Sequence, residues 1–250
     1  MKQKQRIALL GIAAVALIFA ACDGDSGNNG TEPEGDSSSV AACTNTYGTN
    51  TVTDCRDGQT YRTLTIGTQT WMAQNLNYAD SAALPNLEGN SWCYGNSADS
   101  CAKYGRLYTW TGAMNIDRSY QSASAAAVVS APHQGACPMG WHIPTNAEWT
   151  ILEDAVGGSS TAGTYLKATS GWKSYSGISN LDSYGFSALP AGGRYYSGSF
   201  LSVGGHADFW CATEVDTDNA YCRNLDHSVA YMNTDYCDKY YAFSVRCVQD

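Results

Sequence analysis

Pro144-Thr145-Asn146-Ala147-Glu148-Trp149-Thr150-Ile151-Leu152-Glu153-Asp154-Ala155-Val156-Gly157-Gly158 carries both the start and the stop signals of a helix. Thr145 is placed to cap a helix, and Glu148, three residues on, returns the bond to the cap, which is the pattern of a capping box. Trp149, Leu152 and Val156 fall on one helical face, and the paired glycines 157 and 158 end the helix. Residues 162–169 read as a short second helix, and residues 107–115 have short-helix character, with Leu107, Trp110, Ala113 and Met114 on one face. Elsewhere the pattern is β. Residues 60–66 and 69–73 are rich in β-branched and aromatic side chains and read as a hairpin, preceded by the turn signal Asp57-Gly58. Residues 85–101 are loop-like and 119–134 small and irregular. After Gly171-Trp172 come short strands at 186–189, 194–196, 208–213, 220–224, 229–232 and 242–248 between Gly-rich turns. The sum is an α+β domain with few short helices, an antiparallel sheet and long loops, without internal repeats, over residues 43–250.

The composition excludes some functions. The 250 residues carry 23 Asp+Glu against 14 Lys+Arg, a formal net charge of -9. Lys2, Lys4 and Arg6 precede Cys22 with no acids beside them, so the remainder of the chain is more acidic still. Phosphate backbones and anionic membrane surfaces repel such a chain, so no nucleic-acid partner is expected. With 44% hydrophobic, 12% aromatic and only 15% charged residues, the body of the chain can build a core.

The N-terminus reads as an address. Residues 1–6 are basic and 7–19 apolar, the layout of a signal peptide spanning residues 1–21. Phe19-Ala20-Ala21-Cys22 resembles a bacterial lipobox, with Phe19 in place of the usual Leu, and makes Cys22 the lipidation site. The lipid then supplies a membrane anchor, and no transmembrane helix is needed. Residues 22–42 are mostly Gly, Ser, Asn, Asp and Glu with one Pro, which reads as a flexible tether. Asp23 and Asp25 resemble a surface-export signal. The expected location is the cell envelope, on the outer membrane and facing outward.

Nine further cysteines fit an oxidising compartment, where disulfides are the default. Their spacing does not match a zinc site. Cys43–Cys55 and Cys93–Cys101 each close a short polar loop, Cys137–Cys247 ties the middle of the domain to its last strand, and Cys211–Cys222 flanks an acidic loop. Cys237 is then left unpaired, although it could displace either partner of a neighbouring pair, since spacing does not prove connectivity.

Several segments together resemble the Fibrobacter succinogenes major paralogous domain. They are Asp57-Gly58-Gln59-Thr60-Tyr61, Thr70-Trp71-Met72-Ala73-Gln74-Asn75-Leu76, Lys103-Tyr104-Gly105-Arg106-Leu107-Tyr108, Cys137-Pro138-Met139-Gly140-Trp141-His142-Ile143-Pro144-Thr145, Gly185-Phe186-Ser187-Ala188-Leu189-Pro190-Ala191-Gly192, Phe209-Trp210 and Ser244-Val245-Arg246-Cys247. The resemblance implies an exported protein or lipoprotein of a family without an established activity. The Trp-His-Ile-Pro-Thr helix start is also similar to that of the C-type-lectin-like fold, including its formylglycine-generating-enzyme branch. Cys211 and Cys222 depart from the pattern, where Ser and Tyr are more usual, which suggests an added disulfide.

Binding has more material than catalysis. Gly192-Gly193-Arg194-Tyr195-Tyr196-Ser197-Gly198-Ser199-Phe200 and Gly204-Gly205-His206-Ala207-Asp208-Phe209-Trp210 put aromatic and polar groups on Gly-rich loops. Arg194, Tyr195, Tyr196, Phe200, His206 and Trp210 are the ligand-binding candidates, for polysaccharide or another surface protein. In C-type-lectin-like folds the late loops hold ligands, so the resemblance points the same way. For calcium, the sole cofactor candidate, Glu214, Asp216, Asp218 and Asn219 offer oxygens in a short run. They lack EF-hand spacing and the EPN, QPD and WND triplets of sugar-binding lectins, so a solvated acidic loop is the expectation. No GxSxG, HExxH or phosphate loop occurs, and His142 reads as a structural hydrogen-bonding group at the helix start. Cys237 alone does not make the two-sulfur copper site of a formylglycine-generating enzyme. A non-catalytic protein is therefore expected, with an envelope-assembly component and an enzyme remnant as the alternatives.

Overall fold

The computed structural model describes residues 43–250; the stretches read as signal peptide and tether, and the lipidation candidate Cys22, lie outside the described residues. The chain begins with β1 (Thr46–Gly48) and β2 (Thr51–Thr53), then the expected hairpin of β3 (Thr60–Ile66) and β4 (Gln69–Met72). Gly67, at φ 59°, supplies the left-handed residue that a two-residue hairpin turn needs. Next come β5 (Ser91–Trp92), α1 (Ala98–Tyr104), β6 (Leu107–Thr109), α2 (Trp110–Met114) and β7 (Trp141–His142). The stretch read as one short helix from 107 thus splits into a buried strand and a single helical turn. The two main helices follow as α3 (Asn146–Ala155) and α4 (Ser159–Leu166). The remainder is β8 (Gly193–Arg194), β9 (Phe200–Leu201), β10 (His206–Glu214), β11 (Asn219–Asp226), β12 (Met232–Asp238), β13 (Ala242–Phe243) and β14 (Val248–Gln249). No helix among the described residues is long and apolar enough to cross a membrane.

The architecture is α+β, with every paired strand antiparallel to its neighbour. One sheet runs β1-β2-β3-β4-β14-β7, a second β10-β11-β12 and a third β5-β6-β13-β8-β9. The stretch 242–248, expected as one strand, changes sheets: β13 pairs with β6 and β8, whereas Val248 in β14 lies between Trp71 and His142. Residues 186–189 form only a bridge, Lys167 to Ala188. Residues 229–231 are a bent connection after the turn at 227–228, held by the buried Lys167 ammonium, which donates to the carbonyls of Asp226 at 2.9 Å and Val229 at 2.7 Å.

At the start of α3, Thr145 Oγ1 accepts from the Glu148 N–H at 3.2 Å, and Glu148 Oε2 accepts from the Thr145 N–H at 2.7 Å. The other Glu148 oxygen lies 2.8 Å from His142 Nε2, and His142 Nδ1 lies 2.6 Å from Asp250 Oδ1. Both ring nitrogens face carboxylates, so the imidazolium satisfies both. Burial opposes that charge, but the bonds to Glu148 and Asp250 prevail and raise the His142 pKa above its ordinary value. The apolar face of α3 packs Trp149 against Trp71 (ring centroids 4.7 Å apart) and Phe209 (5.4 Å), with Phe186 edge-on to both tryptophans. A second cluster gathers Trp110, Trp141, Trp210, Tyr108 and Phe243.

The structure closes Cys43–Cys55, Cys93–Cys101, Cys137–Cys247 and Cys222–Cys237, and leaves Cys211 a buried thiol. This corrects the expected Cys211–Cys222 bond and the unpaired Cys237. The reason is strand parity. Trp210, not Cys211, stands opposite Cys222, so Cys211 points through the sheet to the side of Phe209 and Leu225. Cys222 faces the other way, opposite Asp235, and reaches the diagonal neighbour Cys237 on the same face.

Candidate functional site

The β10-β11-β12 sheet has two unlike faces. Ala207, Phe209, Cys211, Leu225 and Met232 point to one side and join the core under α3 and α4. On the other side, residues two apart along each strand carry polar groups: His206 and Asp208 on β10, Asn224 and Asp226 on β11, Asn233 and Asp235 on β12. The register sets His206 opposite Asp226, and Asp208 opposite Asn224, itself opposite Asn233. These six residues line a concave cavity of about 450 Å³, within the size range of small-ligand sites.

The polar floor is pre-ordered. Asn224 Nδ2 donates to Asp208 Oδ1 at 2.6 Å, and His206 Nε2 lies 2.8 Å from Asp226 Oδ2. Ser228 donates its N–H and hydroxyl to Asp226 Oδ1 at 2.6 and 2.5 Å. Burial pushes the Asp208 carboxyl up to about 6, against the Asn224 bond and the nearby His206. Burial also works against Asp226, yet the Ser228 hydrogen bonds hold its pKa below the ordinary value. Two carboxyls on one face therefore differ in proton affinity: Asp208 becomes a hydrogen-bond donor below about pH 6, and Asp226 stays an acceptor.

Aromatic rings bound the cavity on the side of the β8–β9 loop. Tyr195 meets Tyr241 edge-on at 4.8 Å, and Tyr241 in turn meets Phe243 at 5.9 Å. Tyr196 stacks on Tyr241 with an 18° interplanar angle and is 75% exposed, an open flat face beside the polar floor.

The sequence candidates separate accordingly. Tyr195 and His206 line the cavity, and Tyr196 stacks over its Tyr241 wall. Arg194 and Phe200 do not line it: the Arg194 guanidinium lies 3.9 Å from the Trp92 ring centroid, and Phe200 packs on Tyr94. Trp210 is removed from the site altogether. It is fully buried, and its indole donates to the Tyr108 carbonyl at 2.7 Å, because position 210 faces the central core. Asp208, Asn224, Asp226, Asn233, Asp235 and Tyr241 were not singled out from the sequence. Their signal is the repeated polar-x-polar alternation His206-x-Asp208, Asn224-x-Asp226, Asn233-x-Asp235.

The calcium candidates are engaged otherwise. Glu214 Oε1 accepts from the buried Lys239 ammonium at 2.6 Å and from the Ala125 N–H at 2.8 Å, and Oε2 accepts from Ser124 Oγ at 2.9 Å. Asp216 Oδ1 accepts the N–H groups of Asp218 and Asn219 at 2.9 and 2.8 Å and so shapes the β10–β11 turn. Among the described residues no three His, Cys, Asp or Glu side chains converge as metal ligands. Within the acidic run, Asp216 thus shapes the turn, and Glu214 is not the solvated side chain expected of such a loop but is turned to Lys239.

No curated protein and no solved structure matches the chain. Residues 64–249, which take in every cavity strand, match the model of the Fibrobacter succinogenes major domain, and the chain belongs to that family.

Proposed function

We propose that this chain is a non-catalytic, lipid-anchored protein of the outer cell surface that binds extracellular polysaccharide on the open face of β10-β11-β12. The observation that carries the reading is the meeting of stacked tyrosines with paired amide and carboxylate side chains in one concavity. Sugars present CH faces, which suit flat aromatic rings, and vicinal hydroxyls, which suit Asp and Asn oxygens. Anchoring through Cys22 is part of the proposal and is supported by the basic and apolar segments before it. A C-type-lectin-like arrangement is proposed as the finer description of the fold, on the helix start at 141–149 and the ligand face built from late strands.

The test is retention of the chain, without its lipid, on insoluble polysaccharides and a glycan array, with titration of any retained glycan. Tyr241→Ala and Asn224→Ala are expected to weaken binding at least tenfold each, about 1.4 kcal/mol, while circular dichroism stays unchanged. Folded protein that is retained on no glycan sinks the polysaccharide reading and leaves envelope assembly as the function to pursue.

A further inference from the structure

Cations are scarce in this chain, and their placement is uneven. Of the 11 Lys and Arg among the described residues, Arg56, Arg223 and Lys239 are ion-paired with carboxylates. Four of the others, Arg62, Lys103, Arg106 and Arg246, line one cleft of about 840 Å³ between the β3–β4 hairpin, α1 and the loop at 182–189. The single carboxylate in that lining belongs to Asp182, whose two oxygens accept from the Ser187 N–H at 2.7 Å and hydroxyl at 2.6 Å. A protein with a net charge of -9 has therefore gathered four cations against one acid in one concavity.

The four differ in how freely they can meet a ligand. Arg246 is 1% exposed and fixed by the Asn75 side-chain oxygen at 2.8 Å, the Ser187 carbonyl at 3.0 Å and the Phe186 carbonyl. None of its hydrogen-bond partners is a carboxylate, and Asp182 is the one acid near enough to favour its charge. Burial pushes its pKa down to about 9, which leaves it charged at neutral pH. Arg106 is held by Ser91, with its Nε 3.0 Å from Oγ. Arg62 has only a 3.5 Å contact to the Ala73 carbonyl, and Lys103 rests over the Tyr104 ring at 4.7 Å. Two fixed cations thus set a positive potential, and two adaptable ones can close on an anion. Gln74, Asn77, Thr169 and Ser170 add hydroxyl-seeking groups between the charges.

We propose that this cleft binds the carboxylates of an acidic oligosaccharide, with Arg62 and Lys103 pairing with uronate groups between the fixed Arg106 and Arg246. The site is separate from the tyrosine-lined face and does not require it. A uronate fits better than a bare inorganic anion because the cleft is far larger than one anion, and its amides and hydroxyls match sugar hydroxyls.

The test is calorimetric titration of the folded chain with tetragalacturonate at 20 mM and 150 mM salt, with cellotetraose and inorganic phosphate as comparison ligands. Tetragalacturonate is expected to bind, to weaken with salt, and to lose about tenfold in affinity in each of Arg62→Gln and Lys103→Gln, one charge contact apiece. Tyr241→Ala is expected to leave this binding unchanged, which separates its outcome from that of the tyrosine-lined site. No binding at low salt, or binding indifferent to both cleft substitutions, overturns the proposal. Phosphate binding as tightly as the oligosaccharide overturns the assignment to uronate.

Discussion

Glu214→Gln asks whether the acidic end of β10 is an ion pair or an open metal ligand. The Lys239 ammonium is fully buried and donates to Glu214 Oε1 at 2.6 Å, to the Thr217 carbonyl at 2.8 Å and to the Tyr120 and Ala123 carbonyls at 3.3 Å. It also lies 4.8 Å from the Trp110 ring centroid. Glu214→Gln keeps an acceptor in place and removes the one carboxylate bonded to that ammonium. One-sided removal from a buried pair costs about 3–5 kcal/mol. The Glu214 side chain is 16% exposed, so water relaxes part of the penalty, and the lower end, about 3 kcal/mol, is the expectation. In a domain of this size that lowers Tm by about 6–12 °C. Adding Lys239→Met removes the stranded cation while its stem keeps its packing, and the double variant is expected to regain most of the loss. Urea unfolding at pH 7, followed by tryptophan fluorescence with and without calcium, reads all three proteins. A Glu214→Gln cost below about 1 kcal/mol refutes the buried pair. A calcium-dependent rise in the urea midpoint that the same substitution abolishes would make Glu214 a metal ligand.

Three further outcomes are expected. Cys222→Ala with Cys237→Ala opens a bond between residues 15 apart and should cost about 3 kcal/mol in chemical denaturation, whereas Cys211→Ser should leave all four disulfides in a peptide map. Burial pushes the Cys211 thiol up to about 12, so mass spectrometry should find it unalkylated at pH 8 in folded protein and alkylated once urea opens the core. Because His142 has a raised folded pKa, its contribution is full below its unfolded value of about 6.5 and fades as pH rises through the higher folded value; the urea midpoint should fall over that window and flatten in His142→Gln.

Local signals were legible and long-range ones were not. The capping box at Thr145 and Glu148, the hairpin around Gly67, and the short cysteine loops depend on residues close in sequence, and turn and cap chemistry announces them. The Cys222–Cys237 bond needed the pairing frame of three strands, and a shift of one residue sends Cys211 to the opposite face. The split of 242–248 between two sheets leaves no local trace, because both halves are apolar and strand-like. Loop aromatics point to Tyr195 and Tyr196, whose neighbourhood does form the cavity, and equally to Trp210, which shares the face of His206 and Asp208 but lies further along β10, where the central core covers it. The acidic residues of the floor lay in plain alternation along β10, β11 and β12, but only adjacent strands make three short alternations into one surface.

The position of β14 carries a consequence for how the domain comes into being. Val248 pairs with both Trp71 and His142, and Cys247 bonds to Cys137 across a sequence separation of 110. A ribosome releases β4 and β7 well before the strand that lies between them. Until Val248 arrives, β4 and β7 have no common partner, and Trp71 lacks the neighbour that seals its edge. The hairpin of β3 and β4 and the sheet of β10, β11 and β12 pair without it, whereas the joining of β4 to β7 and the closing of Cys137–Cys247 must wait for residues 247–249.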